Sequence, residues 1–364
     1  MKEKAGRSSG QSGFRKIPVQ HLRDFVQRAG ASAGIAGRDL DLFVNGVIES
    51  DLRGIDTHGI MRVPPYVRGF LAGELNSKPQ VRVVRERGAI AVLDGDNGLG
   101  GIVGHAAMDR AIELAAIHGI GMVSMRNSNH SGMLAQFVQR AIAKDMIGYF
   151  VSNGPAAMAP WGGLEQMLSN NPFAWGIPAS ARFPIILDMA CSAAARGKIR
   201  LAAMKKEKIP FGWALDPEGN PTDDPNAAMT GFILPAGGYK GSGIAIVNEV
   251  IAAILPGAVL SMDASRRFLE QGATMFDSWR IGHTAIAIDI SAFEDVAEFK
   301  AKIDRFVDRL QASRRAKGCD TILMPGEPEE LFRQTRLREG IPIADGVIAA
   351  TTLLARDIGI EPIQ

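Results

Sequence analysis

The spacing of apolar residues switches along the chain between the period of a helix and that of a buried strand. In residues 17–51 the spacing is helical on both sides of the Gly- and Ala-rich segment 29–37, which predicts two amphipathic helices. From residue 80 onwards, short apolar runs bounded by turn residues alternate with helical patterns. The pattern therefore predicts a helical N-terminal part followed by a mixture of strands and helices.

The later part of the chain divides into short strands and longer helices. The predicted strands are residues 80–84, 89–93, 121–125, 147–153, 173–177, 184–188 and 284–289. The predicted helices are residues 106–116, 135–144, 244–255 and 296–310, with another beginning near residue 194. His283 precedes its predicted strand and is interpreted as structural. No internal repeat or heptad pattern accompanies these elements, which argues against a solenoid or scaffold.

A polar segment, residues 127–132, follows the strand at 121–125 and precedes the helix at 135–144. It places His130 in a strand-to-helix turn, where α/β proteins often carry functional residues. An imidazole titrates near neutral pH and can donate or accept a proton. The alternative is a turn histidine that only forms hydrogen bonds with the backbone.

A second polar segment, residues 56–62, reads Asp-Thr-His-Gly-Ile-Met-Arg. His58 and Arg62 are four positions apart, so on a helix they would project from one face. The guanidinium could then bind a carboxylate through two hydrogen bonds, with the imidazole beside it. The alternative is that Arg62 pairs with Asp56 or Asp51 and serves only the structure.

Two glycine-rich segments, residues 94–101 and 237–243, each precede a predicted helix. The first departs from the dinucleotide-binding fingerprint in its glycine spacing, and no acidic residue ends the following strand, so a plain turn is preferred. In the second, backbone amides together with Lys240 could bind a phosphate. Its residue order is not that of a P-loop.

Asp188 ends the predicted strand 184–188. A carboxylate there could bind sugar hydroxyls or orient a catalytic partner. It could equally cap the N-terminus of a helix, as could Ser192. The two roles are compatible.

Composition excludes several classes of function. The chain has 364 residues, 46% hydrophobic and 22% charged, and a formal net charge of +2, which gives no field for nucleic acid or a membrane surface. Its two cysteines have no metal-ligand spacing, so we expect no metal site and a cytoplasmic location. The longest apolar region, residues 244–260, contains Asn248 and Glu249, which argues against a membrane span.

Seven motifs taken together resemble the type 2 malate/L-lactate dehydrogenase family, which also holds ureidoglycolate and sulfolactate dehydrogenases and cyclic-imine reductases. The motifs are Asp-Thr-His-Gly-Ile-Met-Arg at 56–62 (with Tyr66), Asp-Gly-Asp-Asn-Gly-Leu-Gly at 94–100, Asn-Ser-Asn-His at 127–130, Pro-Trp-Gly-Gly at 160–163, Asn-Pro at 171–172, Leu-Asp-Met-Ala at 187–190 and Gly-Gly-Tyr-Lys-Gly at 237–241. They occur in the family's order between about residues 19 and 329.

The resemblance implies an α/β (α+β) fold in which a non-Rossmann NAD(P)-binding domain has a largely antiparallel sheet flanked by helices. A helical domain is built from the N-terminus and distant segments. We therefore expect a flexible tail at 1–16, a helical domain at 17–75 joined by 322–364, and a cofactor-binding sheet domain at 76–321. The family resemblance also implies a homodimer.

The resemblance further implies a role for each matching residue. His130 corresponds to the proton donor and acceptor, and Thr57 with His58 to a catalytic Ser-His pair. Arg62 corresponds to the ligand of the substrate carboxylate, and Tyr66 belongs to the same substrate site. The expected contacts of NAD or NADP are Asp188, Met189, Ala190, Lys240, Gly154 and Asn171.

The implied reaction moves a hydride between the nicotinamide and C2 of a 2-hydroxy or 2-oxo carboxylate. One alternative is reduction of a cyclic imine such as piperideine-2-carboxylate. Lys198 argues against it, because the resemblance implies an acid at this position in some imine reductases. Another alternative is a non-catalytic nucleotide-binding protein. Ser131, Ser169-Asn170 and Ser242 depart from the usual family residues, which leaves the identity of the substrate open.

Overall fold

The chain divides into two compact units in a computed structural model that describes residues 13–269 and 274–364. Of the described residues, the smaller unit comprises 13–68 together with 331–364, and the larger unit comprises 69–269 and 274–330. Compared with the expected bounds, residues 69–75 and 322–330 belong to the larger unit. Residues 1–12 of the expected tail lie outside the described residues, but Phe14–Ile17 forms a strand, so the expected tail boundary at residue 16 is wrong.

The structure has strands and helices at these positions. The strands are β1 (Phe14–Ile17), β2 (Arg82–Arg87), β3 (Ile90–Gly98), β4 (Ile120–Ser128), β5 (Met146–Ser152), β6 (Phe173–Ile177), β7 (Ile185–Met189), β8 (Ala214–Leu215), β9 (Pro221–Thr222), β10 (Phe232–Ile233), β11 (Ile281–Asp289) and β12 (Ile341–Ala344). The helices are α1 (Val19–Ser32), α2 (Gly37–Leu52), α3 (Val63–Leu71), α4 (Gly100–His118), α5 (Ala135–Ile142), α6 (Arg196–Lys205), α7 (Pro225–Thr230), α8 (Tyr239–Glu249), α9 (Ser261–Leu269), α10 (Met275–Trp279), α11 (Val296–Gln311), α12 (Glu327–Glu339) and α13 (Asp345–Ile358).

The smaller unit is built from helices and one short two-stranded sheet, whose strands come from the N-terminal and C-terminal parts of the chain. Leu22, Phe25 and Val26 are buried on one face of α1, and Phe43 and Val47 are buried on α2, as the helical spacing predicts. Strands β1 and β12 pair antiparallel. The C-terminal segment therefore belongs to the same unit as the N-terminal helices.

The larger unit contains a seven-stranded sheet in the order β2-β3-β4-β11-β5-β6-β7. Only β3 and β4 pair in parallel, and every other pairing in this sheet is antiparallel, so the expected largely antiparallel sheet is confirmed. The central strand, β11, comes from a part of the chain far from β4 and β5. Helices α4 and α5 pack on the sheet, where Phe137 of α5 stacks on Phe150 with ring centroids 4.0 Å apart.

Three predicted boundaries are wrong in a way that affects the site. Strand β11 begins at Ile281, so His283 lies inside it rather than before it. Helix α4 begins at Gly100, six residues before its predicted start, because β3 continues through the glycine-rich segment to Gly98. Helix α8 begins at Tyr239 rather than at residue 244. Among the described residues, no helix is both long and apolar enough to cross a membrane.

Candidate active site

The segment that carries His58 and Arg62 is not one continuous helix. Asp56–His58 and Ile60–Arg62 form two separate 3-10 turns, and Gly59 between them has φ −88° and ψ −142°, which is not helical. The prediction that His58 and Arg62 share a helical face is therefore wrong. Helix α3 begins immediately after the second turn.

The break at Gly59 has a tertiary cause in Asp51, which is buried in the last turn of α2. Asp51 Oδ2 accepts a hydrogen bond of 2.7 Å from the backbone amide of Ile60. A Cβ at position 59 would lie 1.8 Å from Asp51 Oδ1, so only glycine fits there without displacing the carboxyl group. The Asp51 side chain thus sets the path of the segment between His58 and Arg62.

Burial, with a smaller contribution from the nearby Asp56 carboxylate, raises the pKa of Asp51 to about 8 against the opposing effects of the Ile60 amide and Arg336. The carboxyl group is therefore largely protonated at neutral pH. A protonated Asp51 can be buried against the backbone of Ile60 without the free-energy cost of burying a charge.

The side chains of this segment are held by hydrogen bonds within the smaller unit. Thr57 Oγ1 and His58 Nδ1 are 2.9 Å apart, and Arg62 Nε donates to the carbonyl oxygen of Thr57 at 2.8 Å. Asp56 pairs with Arg336 from the C-terminal segment. Arg62 is thus bonded to the Thr57 backbone through Nε, whereas Asp56 pairs with Arg336 and Asp51 accepts from the Ile60 amide.

Burial, and secondarily the charge of Arg62, lower the pKa of His58 to about 4. The ring is therefore neutral at neutral pH and suited to hydrogen bonding rather than to carrying charge. Tyr66 is buried on α3 with its ring edge-on to Phe43, at 6.2 Å between centroids. Burial raises the pKa of Tyr66 to about 12, so its hydroxyl keeps its proton.

In the larger unit, His130 lies in the loop between β4 and α5, as predicted. The Gly132 amide donates to His130 Nδ1 at 3.3 Å, and the His130 carbonyl accepts from the Gly101 amide at the start of α4 at 3.1 Å. The ring packs against Trp279 of α10, with centroids 5.7 Å apart and planes inclined by 58°. The loop therefore orients an imidazole that remains half-buried.

Asp188 connects the end of β7 to the His130 loop. Its Oδ2 accepts a hydrogen bond of 2.8 Å from the amide of Ala135, the first residue of α5. The carboxylate thus caps α5, and not the helix that follows it in the sequence. Met189, which follows it, has 36% of its surface exposed, and Ala190 is partly buried.

The segment after Ala190 runs beside the second glycine-rich turn. The amide of Ala236 donates to the carbonyl of Cys191 at 2.8 Å. Gly237 and Gly238 follow with φ of +68° and +65°, in the left-handed region that favours glycine, and Lys240 is exposed in the first turn of α8. Two of the expected cofactor segments, 188–190 and 237–240, are therefore neighbours.

Asn171 is fully buried and supports the framework of the site. Its Nδ2 donates to Glu249 Oε2 at 2.6 Å, and its carbonyl oxygen accepts from Cys191 Sγ at 3.2 Å. Its side chain has no exposed surface and supports the surrounding loops, and its expected contact with a cofactor stays a prediction. Gly154 lies nearby, and a Cβ there would be 3.1 Å from Ser169 Oγ.

The three serines among the departures from the family pattern are also interior residues, whereas Asn170 is exposed. Ser131 is buried, Ser242 Oγ accepts from the backbone amide of Trp161 at 3.0 Å, and Ser169 Oγ donates to Asn170 Oδ1 at 3.1 Å. Trp161 itself is 56% exposed and lies over Gly238. These serines therefore shape the loops around the site.

The structure gathers the predicted residues into two sets, one in each unit. The smaller unit holds Thr57, His58, Arg62 and Tyr66, and the larger unit holds His130, Asp188, Met189, Ala190, Lys240 and Gly154 with the buried Asn171. No sequence pattern indicates that Trp279 lies beside His130. Two buried acids, Asp51 and Glu249, each adjoin apolar residues near the C-terminal end of a helix, and this placement is the signal that indicates their burial.

Known proteins are similar to this chain over most of its length. The family described as malate/L-lactate dehydrogenase matches residues 17–351. A malate dehydrogenase of Pyrococcus horikoshii is 34% identical over 95% of this chain and 96% of its own length. An L-sulfolactate dehydrogenase of Methanocaldococcus jannaschii is 38% identical over 90% of this chain and 93% of its own.

Solved structures agree in fold. A sulfolactate dehydrogenase structure from M. jannaschii has a TM-score of 0.88 and 35% identity, and covers 95% of this chain and 98% of that chain.

Two further similarities bear on cofactor and substrate. A relative from Chromohalobacter salexigens, a (2R)-3-sulfolactate dehydrogenase described as using NADP(+), is 32% identical over 83% of this chain and 91% of its own. A Pseudomonas syringae Δ1-piperideine-2-carboxylate reductase has a TM-score of 0.81 and 26% identity, covering 94% of this chain and 100% of that chain. With the family match, these findings show that the chain belongs to the malate/L-lactate dehydrogenase family of oxidoreductases.

Proposed function

We propose that this dehydrogenase transfers a hydride between a nicotinamide cofactor and C2 of a small 2-hydroxy or 2-oxo carboxylate, with His130 exchanging the proton on the substrate oxygen. The observation that carries the proposal is the His130 loop. It orients one half-buried imidazole between β4 and α5, and the carboxylate of Asp188 from β7 accepts from the first amide of α5. An oriented imidazole is the usual general acid and base at neutral pH.

His130 exchanges the proton through Nε2, the ring nitrogen that the Gly132 amide does not occupy. In reduction the imidazolium donates its Nε2 proton to the oxygen on which negative charge develops, which leaves a neutral ring protonated at Nδ1; in oxidation Nε2 of that tautomer takes the proton from the substrate. Protonation of Nδ1 breaks the bond with Gly132. That bond is long, at 3.3 Å, so its loss costs little.

Arg62 binds the substrate carboxylate through its terminal nitrogens, since Nε is bonded to the Thr57 carbonyl. That backbone bond fixes the plane of the guanidinium. His58, neutral because its pKa is about 4, and Thr57 add hydrogen bonds to the substrate, and the buried hydroxyl of Tyr66 supports them. Orientation of this kind can contribute about 100-fold or more in rate.

The residues of the larger unit fit a dinucleotide. The first-turn amides of α8, together with Lys240, are donors suited to phosphate, and Asp188 is an acceptor suited to a ribose hydroxyl. Met189, Ala190 and Gly154 add contacts beside them. When bound, the nicotinamide supplies the hydride donor or acceptor. Because the first glycine segment continues strand β3, we infer a non-Rossmann mode of binding.

The experiment that identifies the substrate also determines whether the protein uses NAD or NADP. The relatives support malate or sulfolactate as candidates, and one relative is described as using NADP(+). The similarity to a piperideine-2-carboxylate reductase structure keeps a cyclic imine as the second candidate. For an imine, the proton goes to nitrogen instead of oxygen.

We also infer that the protein is a homodimer, because the amphipathic pattern of α8 is inverted. Its polar residues Ser242, Asn248 and Glu249 are buried, whereas Val247 and Ile246 are 55% and 48% exposed. Val250, Ile244, Ile254 and Leu255 extend this apolar face. An exposed apolar stripe of this kind is stabilised when two copies pack it against itself around a two-fold axis.

The dimer is tested by light scattering on the Val247→Lys variant. We expect the mass to fall from that of two chains to that of one. Ile117→Lys, which replaces a 70% exposed residue on α4, is the matched control and should leave the mass unchanged. A Val247→Lys protein that keeps the mass of the unsubstituted chain would exclude this face.

The function is tested by following the absorbance of NADH and NADPH in the presence of a panel that contains 2-oxo acids with one and two anionic groups and cyclic imines. We expect consumption with at least one 2-oxo acid and little with imines. Preference for an imine would replace the first candidate by the second. Binding of the dinucleotide without turnover of any compound would favour the non-catalytic nucleotide-binding alternative.

A further inference from the structure

His283 is a fully buried histidine at the centre of the seven-stranded sheet, and it has no part in the proposed chemistry. It lies in β11, which pairs with β4 on one side and with β5 on the other. Those two strands lead directly into the His130 loop and into the loop that contains Gly154. His283 is therefore placed between the supports of both loops.

Each ring nitrogen of His283 reaches a serine at the end of one neighbouring strand. Nε2 is 2.8 Å from Ser128 Oγ, the last residue of β4, and Nδ1 is 3.0 Å from Ser152 Oγ, the last residue of β5. Ser128 is two residues before His130, and Ser152 is two residues before Gly154. One ring thus bridges the two strand ends.

The hydrogen-bond directions follow from the second bond of Ser152. Its hydroxyl donates to the carbonyl of Asn153 at 2.8 Å, so it accepts from His283 Nδ1–H, and Nε2 of the neutral ring accepts from Ser128. Burial lowers the pKa of His283 to about 4, against a weaker opposing backbone hydrogen bond at Asn129, which agrees with a neutral ring. The bridge is complete with a single tautomer.

The backbone around the bridge is tightly packed. A Cβ on Gly100 would lie 2.1 Å from the carbonyl oxygen of Asn129 and 2.9 Å from His283 Nε2. On the other side, the amide of Gly282 donates to Asn153 Oδ1 at 2.9 Å. A displaced His283 ring would therefore move residue 129 or residue 153, each of which adjoins a residue of the proposed site.

We infer that His283 is a positioning residue that holds the proton-exchanging loop at His130 and the cofactor loop at Gly154 in one register, through Ser128 and Ser152 respectively. The inference rests on the proposed function for the roles of the two loops. The effect of the bridge on the order of the two loops can be measured without following turnover.

Two substitutions each keep one half of the bridge. The amide nitrogen of asparagine can replace Nδ1, so His283→Asn keeps the Ser152 bond and loses the Ser128 bond. Glutamine reaches the position of Nε2, so His283→Gln keeps the Ser128 bond and loses the Ser152 bond. Ser128→Ala and Ser152→Ala remove the same bonds singly with little change in volume, in case a substitution at His283 prevents folding.

Hydrogen exchange followed by mass spectrometry measures the order of each loop. We expect His283→Asn and Ser128→Ala to speed exchange in residues 129–134 by up to about tenfold, the factor that one lost hydrogen bond allows. His283→Gln and Ser152→Ala should do so in residues 153–156. His105, a buried histidine of α4 packed on Phe137, supplies the matched controls His105→Asn and His105→Gln, which should affect neither loop selectively.

Steady-state kinetics and cofactor affinity give a second readout. The variants that loosen the His130 loop should lower kcat with little change in cofactor affinity, and those that loosen the Gly154 loop should mainly weaken cofactor binding. If both loops exchange faster to the same extent in all four variants, His283 is only a core residue and the inference is wrong. Loop-selective exchange in an enzyme without dehydrogenase activity would instead refute the proposed function and leave the bridge intact.

Discussion

The two units each hold one histidine of the proposed site, and they hold it differently. His58 lies in a segment supported by the buried carboxyl group of Asp51, and burial with Arg62 lowers its pKa to about 4. His130 lies in a loop held by backbone hydrogen bonds and by an aromatic ring. A histidine whose pKa is lowered by burial and by an arginine is suited to neutral hydrogen bonding, and the proposed function therefore assigns proton exchange to His130.

The largest expected effect tests this assignment at His130. His130→Asn keeps a polar side chain near the Nδ1 position but removes the group that titrates. We expect kcat to fall by about 100-fold or more, with NADH or NADPH affinity nearly unchanged. Steady-state kinetics and cofactor fluorescence titration measure the two quantities. Turnover close to that of the unsubstituted enzyme would remove His130 from the proton-exchange role.

Arg62→Lys tests the other half of the comparison. A lysine replaces the planar guanidinium by a point charge, and it loses the Nε bond to the Thr57 carbonyl. We expect KM for the 2-oxo acid to rise by roughly tenfold with a smaller change in kcat. Arg68→Lys, at an exposed ion pair with Asp357, is the control. An unchanged KM in Arg62→Lys would contradict the carboxylate-binding role.

Gly59→Ala tests whether Asp51 sets the path of the His58 segment. The added Cβ would overlap the Asp51 carboxyl group, so we expect a loss of about 1–3 kcal/mol in the free energy of unfolding. Gly346→Ala, in α13 of the same unit, has open space at the Cβ position and should change stability little. Denaturant unfolding measures both variants. Equal stability of the two would show that the segment accommodates the side chain.

The smallest effect concerns the pH dependence of stability. Because the pKa of Asp51 is raised to about 8, its contribution to folding is complete below about pH 4 and is lost as the pH rises towards 8. Asp51→Asn keeps an acceptor for the Ile60 amide and should flatten this decline. Melting temperatures between pH 4 and 8 measure it, with the exposed Asp24→Asn as control. An identical slope in Asp51→Asn would mean that Asp51 is not protonated in the folded protein.

Local patterns predicted most of the elements but not how they combine. Strand β6 was predicted at residues 173–177 because Pro172 and the following turn residues bound a short apolar run. Strand β11 begins three residues before its predicted start. Gly282 and His283 do not continue the apolar run in the sequence, and they are buried only because strands pair on both sides of them. Its insertion between β4 and β5 depends on pairing across more than a hundred residues, which no local pattern contains.

The candidate site shows the same division. The motifs around His130 and Asp188 indicated a strand-to-helix turn and a strand end, and both are where the pattern placed them. The helix expected across His58 and Arg62 is interrupted at Gly59, which lies against the Asp51 side chain. These two residues are eight positions apart in the sequence, so the local pattern does not contain their contact. Asn171 looked like a ligand residue in a turn, but Glu249 of α8 binds its side chain.

The pH dependence of kcat for reduction tests most directly which histidine exchanges the proton. We compare the unsubstituted enzyme with His58→Gln and His130→Asn across the pH range in which free imidazole titrates. We expect kcat to decline with rising pH as the acid form is lost, His58→Gln to keep this decline, and His130→Asn to have a low and flat profile. A decline that persists in His130→Asn and disappears in His58→Gln would contradict this expectation.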